Sequence, residues 1–263
     1  MFVRKSVALT QQSNCMANVL ITGSADGLGL LSAKRLISEG HAVYLHARND
    51  GRAQHAYRQA PGAKGVLVGD LSSIAETKQV ARQANGLAML DVVIHNAGVY
   101  QVAATEIFAV NTLAPYILTS LIKMPRRLIY LSSGMHMHGR PNLEGMKHGQ
   151  VSYSDSKLHV LMLAKAIARH YHGVYANAVD PGWVPTSMGG PGAPDDLQKG
   201  IETQTWLAVS NDERAKVSGR CFKHLAERRY NSLADDVELQ EQFLATCREV
   251  TNVIFPGTTK TAS

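Results

Sequence analysis

The chain has 263 residues, 45% of them hydrophobic and 18% charged, with a net charge of +6. This fits one α/β domain with its own core, with no repeat or low-complexity tract, and the basic residues are scattered in pairs such as Arg126-Arg127 and Arg228-Arg229, which argues against a nucleic-acid surface. Cys15, Cys221 and Cys247 lie far apart and form no CxxC pair, so a reducing, cytoplasmic setting is expected, and no apolar stretch approaches the roughly 20 residues needed to span a bilayer.

Residues 1–17 carry Arg4 and Lys5 but no acid. A leader without structure of its own is expected there, rather than a targeting signal. From residue 18 onward, short apolar runs alternate with helix-like segments. Val19-Leu20-Ile21 is the first run, followed by a glycine-rich turn and a helix over 28–39. Ala42–Leu45, Val66–Val68, Val92–Ile94, Leu128–Leu131, Val174–Ala176 and Arg220–Phe222 follow as further strands. Helices are expected over 104–122 and 152–170. Runs rich in Val and Ile with little polar alternation suit strands buried on both faces. Their alternation with helices predicts a single α/β domain over 18–263, a doubly wound parallel sheet of about seven strands. Loops 134–152 and 183–205 are the expected substrate walls, and 223–263 carries no readable motif.

In such a sheet ligands bind beyond the carboxyl ends of the strands. The residues with chemistry to offer follow strand ends: Gly23, Arg48, Asp70, Asn96, Ser133 and Pro181. The turn Thr22-Gly23-Ser24-Ala25-Asp26-Gly27-Leu28-Gly29 joins the first strand to the first helix. Its glycines let backbone N–H groups approach a pyrophosphate, and the helix N-terminus adds positive charge. Where an acid would bind a ribose 2′-hydroxyl, the second strand ends in Ala47-Arg48. An arginine suits a 2′-phosphate, so NADP(H) is expected in preference to NAD(H), with Arg52 able to assist and Asp26 mildly adverse.

Tyr153 and Lys157 stand at i and i+4, on one helical face. A phenol of pKa ~10 is a poor base near neutrality. A neighbouring ammonium is expected to lower that value and make the pair an acid/base for a substrate oxygen. Ser133, after a buried strand, can hold the same oxygen. Asn111, a poor helix-interior residue, can hold a water linking Lys157 to solvent.

Together these motifs resemble the short-chain dehydrogenase/reductase family over about 18–222, with retinol-dehydrogenase-type features. The resemblance rests on Thr22-Gly23-x3-Gly27-x-Gly29, Asp70-Leu71, Asn96-Ala97-Gly98, Asn111, Ser132-Ser133, Tyr153-x3-Lys157 and Pro181-Gly182. It implies a Rossmann fold and a catalytic tetrad of Asn111, Ser133, Tyr153 and Lys157. It also implies a dinucleotide site drawn from Gly23, Ser24, Asp26, Gly27, Leu28, Gly29, Arg48, Asp70, Leu71, Asn96, Ala97 and Gly98, closed by Pro181, Gly182, Val184 and Thr186. Within that site Asp70 would hold the adenine, Asn96 would brace the cofactor, and Lys157 would bind the nicotinamide ribose. Homodimers or homotetramers through helices like 104–122 and 152–170 are implied as well. The chain departs from the family in a short Gly98–Asn111 span, in His95, and in a long segment between Ser133 and Tyr153.

No metal is expected: His136/His138 and His170/His172 lack a third ligand at zinc spacing. Met135, Met137, Met146 and Trp183 fall in the two substrate loops and can line an apolar pocket. The reading is an oxidoreductase moving hydride between NADP(H) and a small carbonyl or alcohol. An NADP(H)-sensing regulator and an NAD-dependent epimerase or dehydratase are the alternatives.

Overall fold

Val19, Leu20 and Ile21 have no solvent exposure, as a strand covered on both faces requires. The computed structural model describes residues 16–257, so residues 1–15 of the expected leader lie outside the described residues. The first half alternates β1 (Asn18–Ile21), α1 (Gly27–Ser38), β2 (Ala42–Ala47), α2 (Asp50–Gln59), β3 (Gly65–Val68), α3 (Ile74–Asn85) and β4 (Val92–His95). Then come α4 (Ala104–Ile107), a π-helical turn (Phe108–Leu113), α5 (Ala114–Leu121), β5 (Arg127–Leu131), α6 (Leu143–Lys147), α7 (Tyr153–His170) and β6 (Tyr175–Val179). The chain continues through α8 (Leu197–Val209), β7 (Cys221–Lys223), β8 (Ala226–Glu227) and α9 (Val237–Thr251).

The sheet order is β3-β2-β1-β4-β5-β6-β7-β8. The first seven strands are parallel, as expected, and β8 adds a two-residue antiparallel edge. Alternate residues of each strand feed opposite layers. Val19, Ile21, Ile94 and Ile129 pack under the α1, α2 and α8 side, while Leu20, Val93 and Leu128 pack under α3, α5, α7 and α9. Chain order reverses between β1 and β4, so their carboxyl ends open a crevice.

The helix expected over 104–122 is broken. Pro115 has no N–H to give to the Asn111 carbonyl, and the segment relaxes into the π turn before α5 starts. Met146 is wholly buried in the core, so it lines no pocket, contrary to expectation, whereas Met135, Met137 and Trp183 are exposed. Cys221 and Cys247 are free and buried. Among the described residues no helix is long and apolar enough to cross a membrane.

Candidate active site

The crevice is a cleft of about 570 Å³ running from the glycine turn to Tyr153. At its first end Gly23 and Gly27 hold positive φ (61° and 52°), where side chains are strained. Gly29 is needed for another reason: a Cβ there would stand 2.5 Å from both the Asn96 Nδ2 and the Gly23 carbonyl. Asn96 donates through Nδ2 to the Thr22 and Gly23 carbonyls (2.9 and 3.0 Å), tying β4 to the turn. The N-terminus of α1 has no side-chain cap and no acid in its first turn. Asp26, at the N-cap position, is paired with Arg52 instead. A glycine turn and an uncapped helix end facing a cleft fit a pyrophosphate.

His46, which the motif reading passed over, braces this end from below. The Gly23 N–H donates to His46 Nδ1 at 3.0 Å, so Nε2 carries the proton and donates to the Gly69 carbonyl, also at 3.0 Å. Burial pushes the imidazole down to about 4, so it stays neutral. Its position at the carboxyl end of β2 was the available signal. Ser24 is fully buried, and its hydroxyl donates to the Ile21 carbonyl (2.8 Å) and accepts from the His46 N–H (2.9 Å). That hydroxyl is spent inside the protein, which leaves the Ser24 backbone to face the turn.

Asp26, Gly27, Leu28, Arg48, Asp70, Leu71, Ala97 and Gly98 line the cleft, with Pro181 and Thr186 across from them. Arg48 is exposed and, among the described residues, pairs with no carboxylate. Gly182 and Val184 lie behind that lining. The Gly182 N–H donates to Asp180 Oδ1 (3.0 Å), and Val184 is buried against Gly200 of α8. They shape the loop rather than face the cleft.

At the other end Tyr153 opens α7. A capping box fixes that start: Ser152 Oγ accepts from Asp155 N–H (3.1 Å), and Asp155 Oδ2 accepts from Ser152 N–H (3.3 Å). The ammonium of Lys157 lies 5.3 Å from the Tyr153 ring centre and donates to the Leu131 carbonyl at 2.9 Å. Burial lowers Lys157 to about 8. The expected depression of Tyr153 does not occur. Burial pushes the phenol up to about 12; the hydrogen bond with Ser133 works against this, and Asp180 and Tyr100 reinforce it. Desolvation outweighs a bonded hydroxyl in this site.

Ser133, not Ser132, meets the phenol. Ser132 instead donates to the Lys157 carbonyl at 2.8 Å. Asn111 Nδ2 donates to the Val99 carbonyl (3.0 Å) and Ser156 Oγ (3.1 Å), and Oδ1 accepts from Val99 N–H (2.8 Å). Both of its amide protons are therefore taken by the protein. The phenol also donates to the Met188 sulfur at 3.9 Å, and Tyr100 packs edge-on at 4.7 Å. Met188, Val99, Val110 and Glu106 line the cleft without having been foreseen. His136 is buried and His138 exposed.

Against known proteins, residues 17–196 match the family model for short chain dehydrogenases. The chain is 44% identical to an uncharacterised oxidoreductase of Emericella nidulans, over 92% of this chain and all of the other. It is 39% identical to short-chain dehydrogenase chyC of Penicillium rubens, with the same coverage. Retinol dehydrogenase 14 of Mus musculus is 30% identical over 65% of this chain and 62% of its own. A crystal structure of an uncharacterised protein from Mycobacterium paratuberculosis overlays with TM-score 0.75 at 24% identity, covering 91% of this chain and 95% of that one. The chain belongs to the short-chain dehydrogenase family, and is an oxidoreductase of that family that uses a nicotinamide dinucleotide.

Proposed function

We propose that the protein reduces an aldehyde or ketone with NADPH, and that Tyr153 gives the proton. The observation that carries this is one cleft with a phosphate-fitting glycine turn and unpaired Arg48 at one end, and the Ser133–Tyr153–Lys157 cluster at the other. The turn Gly23–Gly29 and the α1 N-terminus would hold the pyrophosphate, Arg48 the 2′-phosphate, Asp70 and Leu71 the adenine, and Lys157 the ribose, with Thr186 closing over Gly27. When bound, the nicotinamide supplies hydride to the carbonyl carbon.

The protein's own groups do the rest. A phenol that keeps its proton to about 12 is an acid throughout the neutral range, ready to give that proton to a carbonyl oxygen. Ser133 bonds the same oxygen and resists its drift as charge develops. Lys157, still cationic at pH 7, steadies the phenolate left behind. Asn111 acts as a positioning residue through Ser156 and Val99, while its main-chain carbonyl, which Pro115 denies an N–H at i+4, would hold water near Lys157.

Steady-state rates with NADPH and NADH over a panel of aldehydes and ketones test this. NADPH should give the higher kcat/KM, and Arg48→Ser should weaken NADPH about tenfold or more while leaving NADH nearly unchanged. Equal use of both nucleotides, insensitive to Arg48, contradicts the NADP assignment.

A further inference from the structure

Among the described residues, 12 of the 18 in α7 and 6 of the 8 in α5 are buried within one chain. These are the helices that the family resemblance assigns to subunit contact. Their inner faces lie on the sheet. Their outer faces are covered by the C-terminal segment, which the sequence left without a role.

The cover has a ring-rich centre. Phe243 of α9 packs on His159 of α7 with ring centres 5.1 Å apart. Tyr116 of α5 stacks on Phe255 at 5.9 Å and donates to the Val253 carbonyl at 2.8 Å. Around this centre runs a polar rim. Lys165 bonds Asp235 and the Tyr230 hydroxyl, both at 2.5 Å, and Arg169 and His170 converge on Glu241. Lys78 donates to the Thr251 carbonyl at 2.8 Å, fastening the end of α9 to α3. An apolar centre inside a polar rim is the anatomy of a subunit interface. Here both halves belong to one chain. The sheet edge is treated alike: β8 folds back on β7, and an edge strand of two residues offers little for another sheet to join.

The same segment reaches the site. Asn231 Nδ2 points at the loop that follows Ser133 and donates to the carbonyls of Gly139 (2.9 Å), His136 (3.3 Å) and Met137 (3.4 Å). Its Oδ1 accepts from Leu233 N–H at 3.1 Å, which holds the amide in place.

We infer that residues 226–256 act as a built-in partner: they occupy the surface on which two copies would pair, keep the protein monomeric, and through Asn231 hold the 134–139 loop in the shape the substrate needs. The first part stands independently of the reaction; the last clause rests on the proposed carbonyl reduction.

Light scattering and hydrogen exchange on the full chain test the first part. A single species of 28.5 kDa is expected at every concentration, with protection on α5 and α7 independent of dilution. A stable dimer or tetramer, or protection on those helices that grows with concentration, overturns it. Asn231→Asp tests the second part, because it keeps the Leu233 cap and removes both donors. Faster exchange at 134–139 is expected, with KM for the carbonyl rising about tenfold while kcat and NADPH affinity stay within about twofold. Unchanged exchange at 134–139 overturns the clamp, as does an unchanged KM. Exchange is read without substrate, so absence of turnover in the parent protein would count against the proposed reaction and leave the clamp result legible.

Discussion

Lys157 serves the reaction at a cost to the fold, and that cost can be measured. Its ammonium is buried with one carbonyl partner, and burial brings it from 10.5 to about 8. A folded-state value about 2.5 units below the unfolded one corresponds to about 3 kcal/mol of destabilisation at pH 7, where the group is charged in both states. Between pH 8 and 10.5 the unfolded chain binds more protons at this site than the folded one, so the penalty fades as pH rises and is gone above 10.5. Lys157→Met removes the charge and keeps the length, but gives up the bond to the Leu131 carbonyl, a loss of about 1–2 kcal/mol. The variant should therefore be inactive yet more stable at pH 7 by about 1–2 kcal/mol, raising Tm by roughly 2–8 °C. Melting curves of both proteins at pH 7 and near pH 10 give the answer, and the gap should narrow at the higher pH. A variant less stable at pH 7, or a gap equal at both pH values, refutes the reasoning.

The remaining predictions concern the cleft. With Tyr153 pushed up to about 12, the proton-donor form persists through the neutral range, so kcat/KM for reduction should be flat from pH 6 to 8 in its Tyr153 limb while alcohol oxidation climbs with pH; a reduction rate that falls through pH 7 on account of this phenol contradicts it. Gly29→Ala would set a Cβ 2.5 Å from the Gly23 carbonyl and 2.9 Å from the Ser24 Cα, so calorimetry should show about 1–3 kcal/mol of lost stability, and titration a weakened dinucleotide. Met188→Ala removes the thioether that takes the Tyr153 hydrogen bond, so the kcat/KM ratio of bulky to small ketones should rise; an unchanged ratio would show that Met188 sets no limit on substrate size.

The strands were legible because each is a short apolar run with residues on both sides of the sheet, as Val19, Leu20 and Ile21 show. The cleft was legible because its residues follow strand ends that a parallel sheet gathers on one edge. Three things were hidden for physical reasons. The break at 108–113 depends on Pro115 acting four residues back, which an apolar stripe over 104–122 conceals. The direction of the Tyr153 shift depends on desolvation, and pairing at i and i+4 says nothing about burial. The fate of the Ser24 and Asn111 side chains depends on which backbone groups surround them, His46 and Val99 respectively, and both are distant in sequence. The C-terminal cover was unreadable for a related reason: Phe243, Glu241 and Asn231 acquire meaning only against partners about 70–95 residues away.

The account depends on a proton leaving the residue 153 phenol beside a bound pyridine nucleotide. NADPH titration and carbonyl turnover, measured side by side on the wild type and Tyr153→Phe, address it most directly. The ring should keep its packing against Tyr100, nucleotide affinity should change little, and turnover should fall by about 10²–10⁴-fold. Turnover that survives the loss of the hydroxyl, or a wild-type protein that binds neither NADPH nor NADH, would contradict the assignment.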